Sequence, residues 1–264
     1  MKVVFRVDSS ILIGFGHLMR CLTLAKVLRY RGCQCSFVCR DHIGNISGII
    51  TDSGFKLFLL KRPNETARLS LTGPEYDGWL GCAWQVDSDQ TNEILKSIQP
   101  EWLIVDHYAI DVKWEKHLAE NYKRLMVIDD TANHDHDCDL LLDQNLFVDM
   151  KERYKGKVSP KCLKLLGPKY ALLQPEYSQV KEKTKARSAL IQNVLIFFGG
   201  SDQKNLTELA FLAVQSFGSS FTSINVVMSS ASPHYDRVRS LMKPIKKAIL
   251  HCDLPSLAPL ILEA

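Results

Sequence analysis

Lys2-Val3-Val4-Phe5-Arg6-Val7-Asp8-Ser9-Ser10-Ile11-Leu12-Ile13-Gly14-Phe15-Gly16-His17, continued by Leu18-Met19-Arg20-Cys21-Leu22, is the stretch on which the fold turns. Residues 2–7 are rich in β-branched and aromatic side chains and read as a first strand. Leu18, Cys21, Leu22, Ala25 and Leu28 recur at spacings of three and four, one apolar face of a helix that His17 opens. Gly32, after Arg29 and Arg31, is a natural stop for that helix. Residues 34–39 then read as a second strand. A strand, a loop, a helix and a strand in that order call for a parallel sheet.

The alternation continues outward from this unit. Strands are expected at 55–60, 102–105, 124–128 and 140–142, and helices at 87–98 and 112–121. Three of these strands run into polar ends: Asp106-His107-Tyr108, Asp129-Asp130 and Asp143-Gln144-Asn145. In doubly wound sheets, ligands sit outside such carboxyl ends. Residues 178–189 are charged and polar, and 178–192 is expected to be a linker. A second unit opens with the strand 194–198, followed by Gly199-Gly200-Ser201-Asp202 and a helix from about Asn205. Strands near 224–228 and 247–251, a helix at 234–242 and a last helix from Pro255 complete it. The expected architecture is α/β with two doubly wound, Rossmann-like parallel-sheet domains, 1–177 and 193–264.

Composition excludes the unusual classes. The 264 residues are 46% hydrophobic and 23% charged, which is ordinary for a globular chain and not for a disordered or fibrous one. A net charge of +4, without clustering, gives no reason to expect a nucleic-acid partner. The first residues, broken by Arg6 and Asp8, do not read as a signal peptide, and no stretch approaches the ~20 apolar residues of a membrane span. No membrane partner is expected. The eight cysteines form no C-x-x-C pair and read as small buried hydrophobes in a reducing, cytoplasmic setting.

Four groups of residues could carry chemistry. Gly14 and Gly16 let backbone approach a ligand, and the helix they precede offers free N–H groups and the positive end of its dipole. That end disfavours imidazolium, so His17 suits a general base; the alternative is a plain glycine turn capped by His17. A nicotinamide fingerprint fails because the third glycine position is Met19, and Asp41 after the second strand does not rescue it. Gly199-Gly200-Ser201-Asp202 reads either as a phosphate cradle or as a turn capped by Asp202, and it is not a Walker loop. Ser229 and Ser230 end the next strand and could offer hydroxyls on the same edge. Asp106-His107-Tyr108 reads equally as a pocket wall or as a polar strand end. His134-Asp135-His136-Asp137-Cys138-Asp139 has metal-ligand types, but neighbouring side chains cannot all face one ion. It reads as a solvated loop, and no metal is expected.

Taken in order, several motifs resemble the UDP-2,4-diacetamido-2,4,6-trideoxy-β-L-altropyranose hydrolases of pseudaminic acid biosynthesis. They are Arg6 to Ser10 with Ile13 to Arg20, Trp79-Leu80-Gly81, Asp106-His107-Tyr108, Asp129-Asp130, His136 to Asn145, Gly167 to Leu173, and Phe198 to Asp202. The resemblance implies a GT-B-like fold and hydrolysis of a UDP-sugar by water attack at the anomeric carbon, without metal or cofactor. It implies that His17 is catalytic with Tyr108 beside it. Asp8 and the backbone of Gly14, Phe15 and Gly16 would line the sugar pocket, with Ser9, Asp106 and Asn145 also among the substrate-binding positions. Gly199, Gly200, Ser201 and Asp202 would face the diphosphate, and Ser229, Ser230 and the backbone near His251 the uridine. The family's second domain continues past the segment matching Leu262-Glu263-Ala264, so the resemblance further implies an incomplete second domain. A GT-B-type transferase, or a truncated relative without a competent nucleotide site, are the alternatives it leaves.

Overall fold

The computed structural model describes residues 1–62, 76–184, 190–199, 202–217, 221–254 and 256–264, in two compact units, Met1–Leu172 and Leu173–Ala264. The division falls a few residues before the expected end of the first domain at 177. A helix, Pro175–Lys183, fills the first part of the stretch read as linker.

In the first unit the strands are β1 (Lys2–Val7), β2 (Gln34–Arg40), β3 (Lys56–Leu60), β4 (Trp102–Asp106), β5 (Arg124–Ile128), β6 (Leu140–Asp143) and β7 (Leu163–Leu166). They form one parallel sheet in the order β3-β2-β1-β4-β5-β6-β7. β7 was not anticipated, because Leu163-Lys164-Leu165-Leu166 is a short edge strand without alternation. The helices are α1 (Gly16–Tyr30), α2 (Gly48–Asp52), α3 (Trp84–Ile98) and α4 (Val112–His117).

β1 is buried on both faces, as a central parallel strand must be. Val3, Phe5 and Val7 pack with Leu18, Cys21, Leu22 and Ala25 of α1 and with Ile50 of α2. Val4 points the other way, into the cluster of Leu95 from α3, Trp114 from α4, Leu103, Leu125 and Leu141. Each fully buried large apolar side chain contributes roughly 1.5–3 kcal/mol. Arg6 shares the face of Val4 and has no exposed surface, so its charge needs partners inside the protein. The sheet order reverses between β1 and β4, where Val7 pairs with Asp106. This is the switch point of a doubly wound sheet, the place where such sheets bind ligands, outside the carboxyl ends of the strands.

The second unit contains α5 (Pro175–Lys183), β8 (Asn193–Phe197), α6 (Leu206–Ser216), β9 (Ser223–Met228), α7 (Tyr235–Met242), β10 (Ala248–Cys252) and α8 (Ala258–Glu263). Its strands form a parallel sheet in the order β10-β9-β8. Ile196, Phe211, Ile224, Val226, Met228, Val238 and Met242 make its core, and α5 packs against α8. Among the described residues no helix is long and apolar enough to cross a membrane.

Candidate active site

The loop after β1 is a compact turn. The Ser10 hydroxyl accepts from the N–H groups of Leu12 and Ile13, and the Gly14 N–H donates to the Ser10 carbonyl at 2.8 Å. Gly14 closes this turn at φ +81°, where a side chain would be strained. Helix α1 follows at once, with Phe15 at its cap position offering no side-chain acceptor. His17 therefore stands in the first turn of α1, beside the end of β4.

There the His17 Nδ1 and Asp106 Oδ1 lie 2.6 Å apart. A carboxylate only accepts, so an imidazole hydrogen sits on Nδ1, which leaves Nε2 as the ring nitrogen able to accept a proton. Arg20, three residues further along the same helix face, grips Asp106 with both edges: Nε to Oδ2 and Nη2 to Oδ1, each at 2.6 Å. Its Nη1 pairs with Asp130 Oδ2 at the end of β5, and Tyr108 Oη donates to that same oxygen at 2.6 Å. The other oxygen of Asp130, Oδ1, is buried with no hydrogen-bond partner among the described residues. One guanidinium thus anchors both the carboxylate behind His17 and the one behind Tyr108.

The rings complete the arrangement. His17 meets Tyr108 edge to face at 4.6 Å between centroids and Trp79 at 5.8 Å. Trp79 and Tyr108 stack at 5.3 Å, with Tyr76 against both. Burial alone would raise the Asp106 carboxyl, but Arg20 and His17 outweigh it and hold it well below the usual carboxylate range. Burial, reinforced by the Asp130 charge, pushes the Tyr108 phenol well above its ordinary value.

Beneath this lies a second buried network that the sequence reading placed differently. Asp8, expected to line the pocket, has no exposed surface. Its oxygens accept from Arg6 at 2.6 and 2.9 Å and from the Arg40 backbone N–H at 2.6 Å, with His42 and His107 at 3.3 and 3.2 Å. Asp87 of α3 takes the remaining donors: Arg6, Arg40 Nη2 at 2.6 Å and Trp114 Nε1 at 3.0 Å. A carboxylate so enclosed is not presented to a ligand; it clamps the ends of β1, β2 and β4. Ser9 is buried too, accepting from the Ile46 N–H at 3.1 Å. Burial raises the Asp8 carboxyl, but Arg6 and the two histidines overcome it and hold it well below the usual range.

The other anticipated positions divide. Phe15 and Gly16 adjoin His17, and a Cβ built on Gly16 would meet nothing within 4 Å. Asn145 is exposed beyond β6. Gly199 adopts φ +80°, while Gly200 and Ser201 lie outside the described residues. Asp202 does not face outward as an anion-binding residue. It is buried, and its two oxygens accept from the N–H groups of Leu206 and Thr207 at 2.8 and 2.9 Å, closing the first turn of α6. Ser229 and Ser230 stand at the carboxyl end of β9 with both hydroxyls donating to Asp253. The run 134–139 is not simply a solvated loop. His136 is buried with Nδ1 2.6 Å from Glu115 Oε1, and Cys138 is buried 3.6 Å from Cys162 Sγ. Arg20, Asp130 and Trp79, which gather around His17 and Tyr108, were not among the expected site positions. The signal for Arg20 was its place three residues after His17 on the apolar-periodic helix.

No protein-family model matches the chain. It is 29% identical over 268 residues to the UDP-2,4-diacetamido-2,4,6-trideoxy-β-L-altropyranose hydrolase of Campylobacter jejuni, which spans 100% of this chain and 82% of the relative. That identity supports membership of the hydrolase's family. An uncharacterized protein of Methanocaldococcus jannaschii is 26% identical over 251 residues, 94% of this chain and 46% of that protein. Among solved structures, MurG of Acinetobacter baumannii is similar at a TM-score of 0.55 with 12% identity, over 100% of this chain and 71% of that one. UGT2 of Phytolacca americana, complexed with UDP-2-fluoro-glucose and pterostilbene, is similar at 0.56 with 12% identity, over 98% and 73%. At such identities the likeness concerns the fold, which is the GT-B-like parallel α/β architecture that the family resemblance implied.

Proposed function

We propose that the chain hydrolyses UDP-2,4-diacetamido-2,4,6-trideoxy-β-L-altropyranose to UDP and the free sugar, as a cytoplasmic enzyme of pseudaminic acid biosynthesis working without metal or cofactor. The observation that carries this reading is the histidine held by Asp106, at the switch point of the sheet, in a chain similar throughout to a hydrolase of that substrate. Water attacks the anomeric carbon, and one water proton passes to His17 Nε2. The bond from that carbon to the β-phosphate oxygen breaks, and its electron pair leaves with UDP. A nucleoside diphosphate is a weakly basic leaving group, so no side chain must protonate it. Tyr108, whose proton is committed to Asp130, fits a site that needs a base and no acid.

The test is UDP release from this substrate, followed by ³¹P NMR. Steady release that needs no added acceptor is the expected result. Release only with an acceptor alcohol would make the chain a transferase, and none under either condition would remove the catalytic reading.

A further inference from the structure

We infer that Tyr108 and His17 form a paired acceptor that selects water over alcohols as the nucleophile, with Asp130 and Arg20 as the positioning residues that make it so. The inference rests on the hydrolase reading above and adds to it the basis of nucleophile choice.

Tyr108 Oη donates its only proton to Asp130 Oδ2, and that oxygen is pinned by Arg20. Toward the site, the phenol therefore has only lone pairs to offer. The His17 Nδ1–H is likewise committed to Asp106, which Arg20 grips with two bonds, so Nε2 is also an acceptor. Two acceptors on rings 4.6 Å apart match a molecule with two O–H donors on one oxygen. Water is that molecule. It gives one hydrogen to His17 Nε2, the proton transferred in the attack, and its second to Tyr108 Oη. An alcohol has a single O–H. Activated by His17, it brings no hydrogen to the Tyr108 lone pairs, in a partly buried, aromatic-walled place, and so forgoes a hydrogen bond that water makes. A site built to pair with a particular hydrogen discriminates against molecules that lack it.

The experiment is partitioning in water–methanol mixtures. Attack by water forms the free sugar and attack by methanol the methyl glycoside, with UDP leaving in both, and mass spectrometry reads the ratio. The wild-type chain is expected to give free sugar almost alone. Tyr108→Phe, which keeps the ring and deletes the acceptor, is expected to slow UDP release and to raise the methyl glycoside share roughly tenfold. Asp130→Asn, which weakens the anchor, is expected to shift the ratio the same way by less. A purely structural role would lower the rate and leave the ratio alone. A wild-type ratio in Tyr108→Phe, with UDP release still measurable, overturns the inference while the hydrolase reading stands. No UDP release by the wild-type chain overturns both. Independently of turnover, the Tyr108 hydroxyl proton should appear as a protected downfield ¹H resonance that moves in Asp130→Asn. A freely exchanging hydroxyl in the wild type would contradict the donor lock.

Discussion

Two strand–glycine–helix turns, one in each unit, look alike in sequence and differ in what they leave open. After β1 the chain passes Gly14 and Gly16 into α1, whose cap position holds Phe15 and no side-chain acceptor. After β8 it passes Gly199 toward α6, where Asp202 takes the N–H groups of Leu206 and Thr207 on its own carboxylate. The first helix end carries His17, the proposed base; the second is closed by an internal anion. A glycine-rich turn before a helix is therefore not enough to predict a ligand-facing end. What separates the two is whether an acidic side chain folds back on the amides.

The largest effect is expected of Asp106→Asn. The amide keeps the shape but no longer fixes the hydrogen on His17 Nδ1, and UDP release should fall roughly 10²–10⁴-fold, read from kcat. An unchanged kcat would show that the first turn owes nothing to the dyad. Next comes the clamp beneath it. Asp87→Ala leaves Arg6 and Arg40 short of a buried counter-charge, and urea unfolding should show a loss of about 3–5 kcal/mol. At the second turn, Asp202→Ala should cost about 0.5–2 kcal/mol as a lost cap, with little change in KM. A large rise in KM with intact stability would restore Asp202 as a substrate-facing residue.

The smallest effect concerns pH. Burial lowers His107 below its ordinary value, against the pull of Asp8. The unfolded chain then takes up a proton below about pH 6.5 that the folded one resists, so His107 costs stability as pH falls through that range. His107→Gln should flatten part of the decline in Tm between about pH 7 and 5. An identical decline in the variant would assign it to other groups.

Much of this was legible from the chain alone. The alternation of apolar runs located β1, β2, β4 and β5 within a residue or two, because central parallel strands are apolar on both faces. His17, Asp106 and Tyr108 were readable as strand and helix ends that the topology brings together. What local pattern could not show was which charges meet inside. Arg6 and Asp87 are 81 residues apart, and nothing in either neighbourhood names the other. Asp8 was expected in the sugar pocket because the family resemblance put it there. Its burial follows from Arg6, His42 and His107 converging on it from three strands' worth of chain. Asp202 shows the reverse, a cap recognisable from sequence whose meaning depended on where its carboxylate turned.

The central claim is that His17, oriented by Asp106, deprotonates the attacking water. It is tested most directly by His17→Ala, measured for UDP release from the UDP-sugar and, by calorimetry, for UDP affinity. The account predicts a fall in kcat of roughly 10²-fold or more with UDP affinity nearly unchanged. Turnover equal to that of the unaltered chain would contradict it.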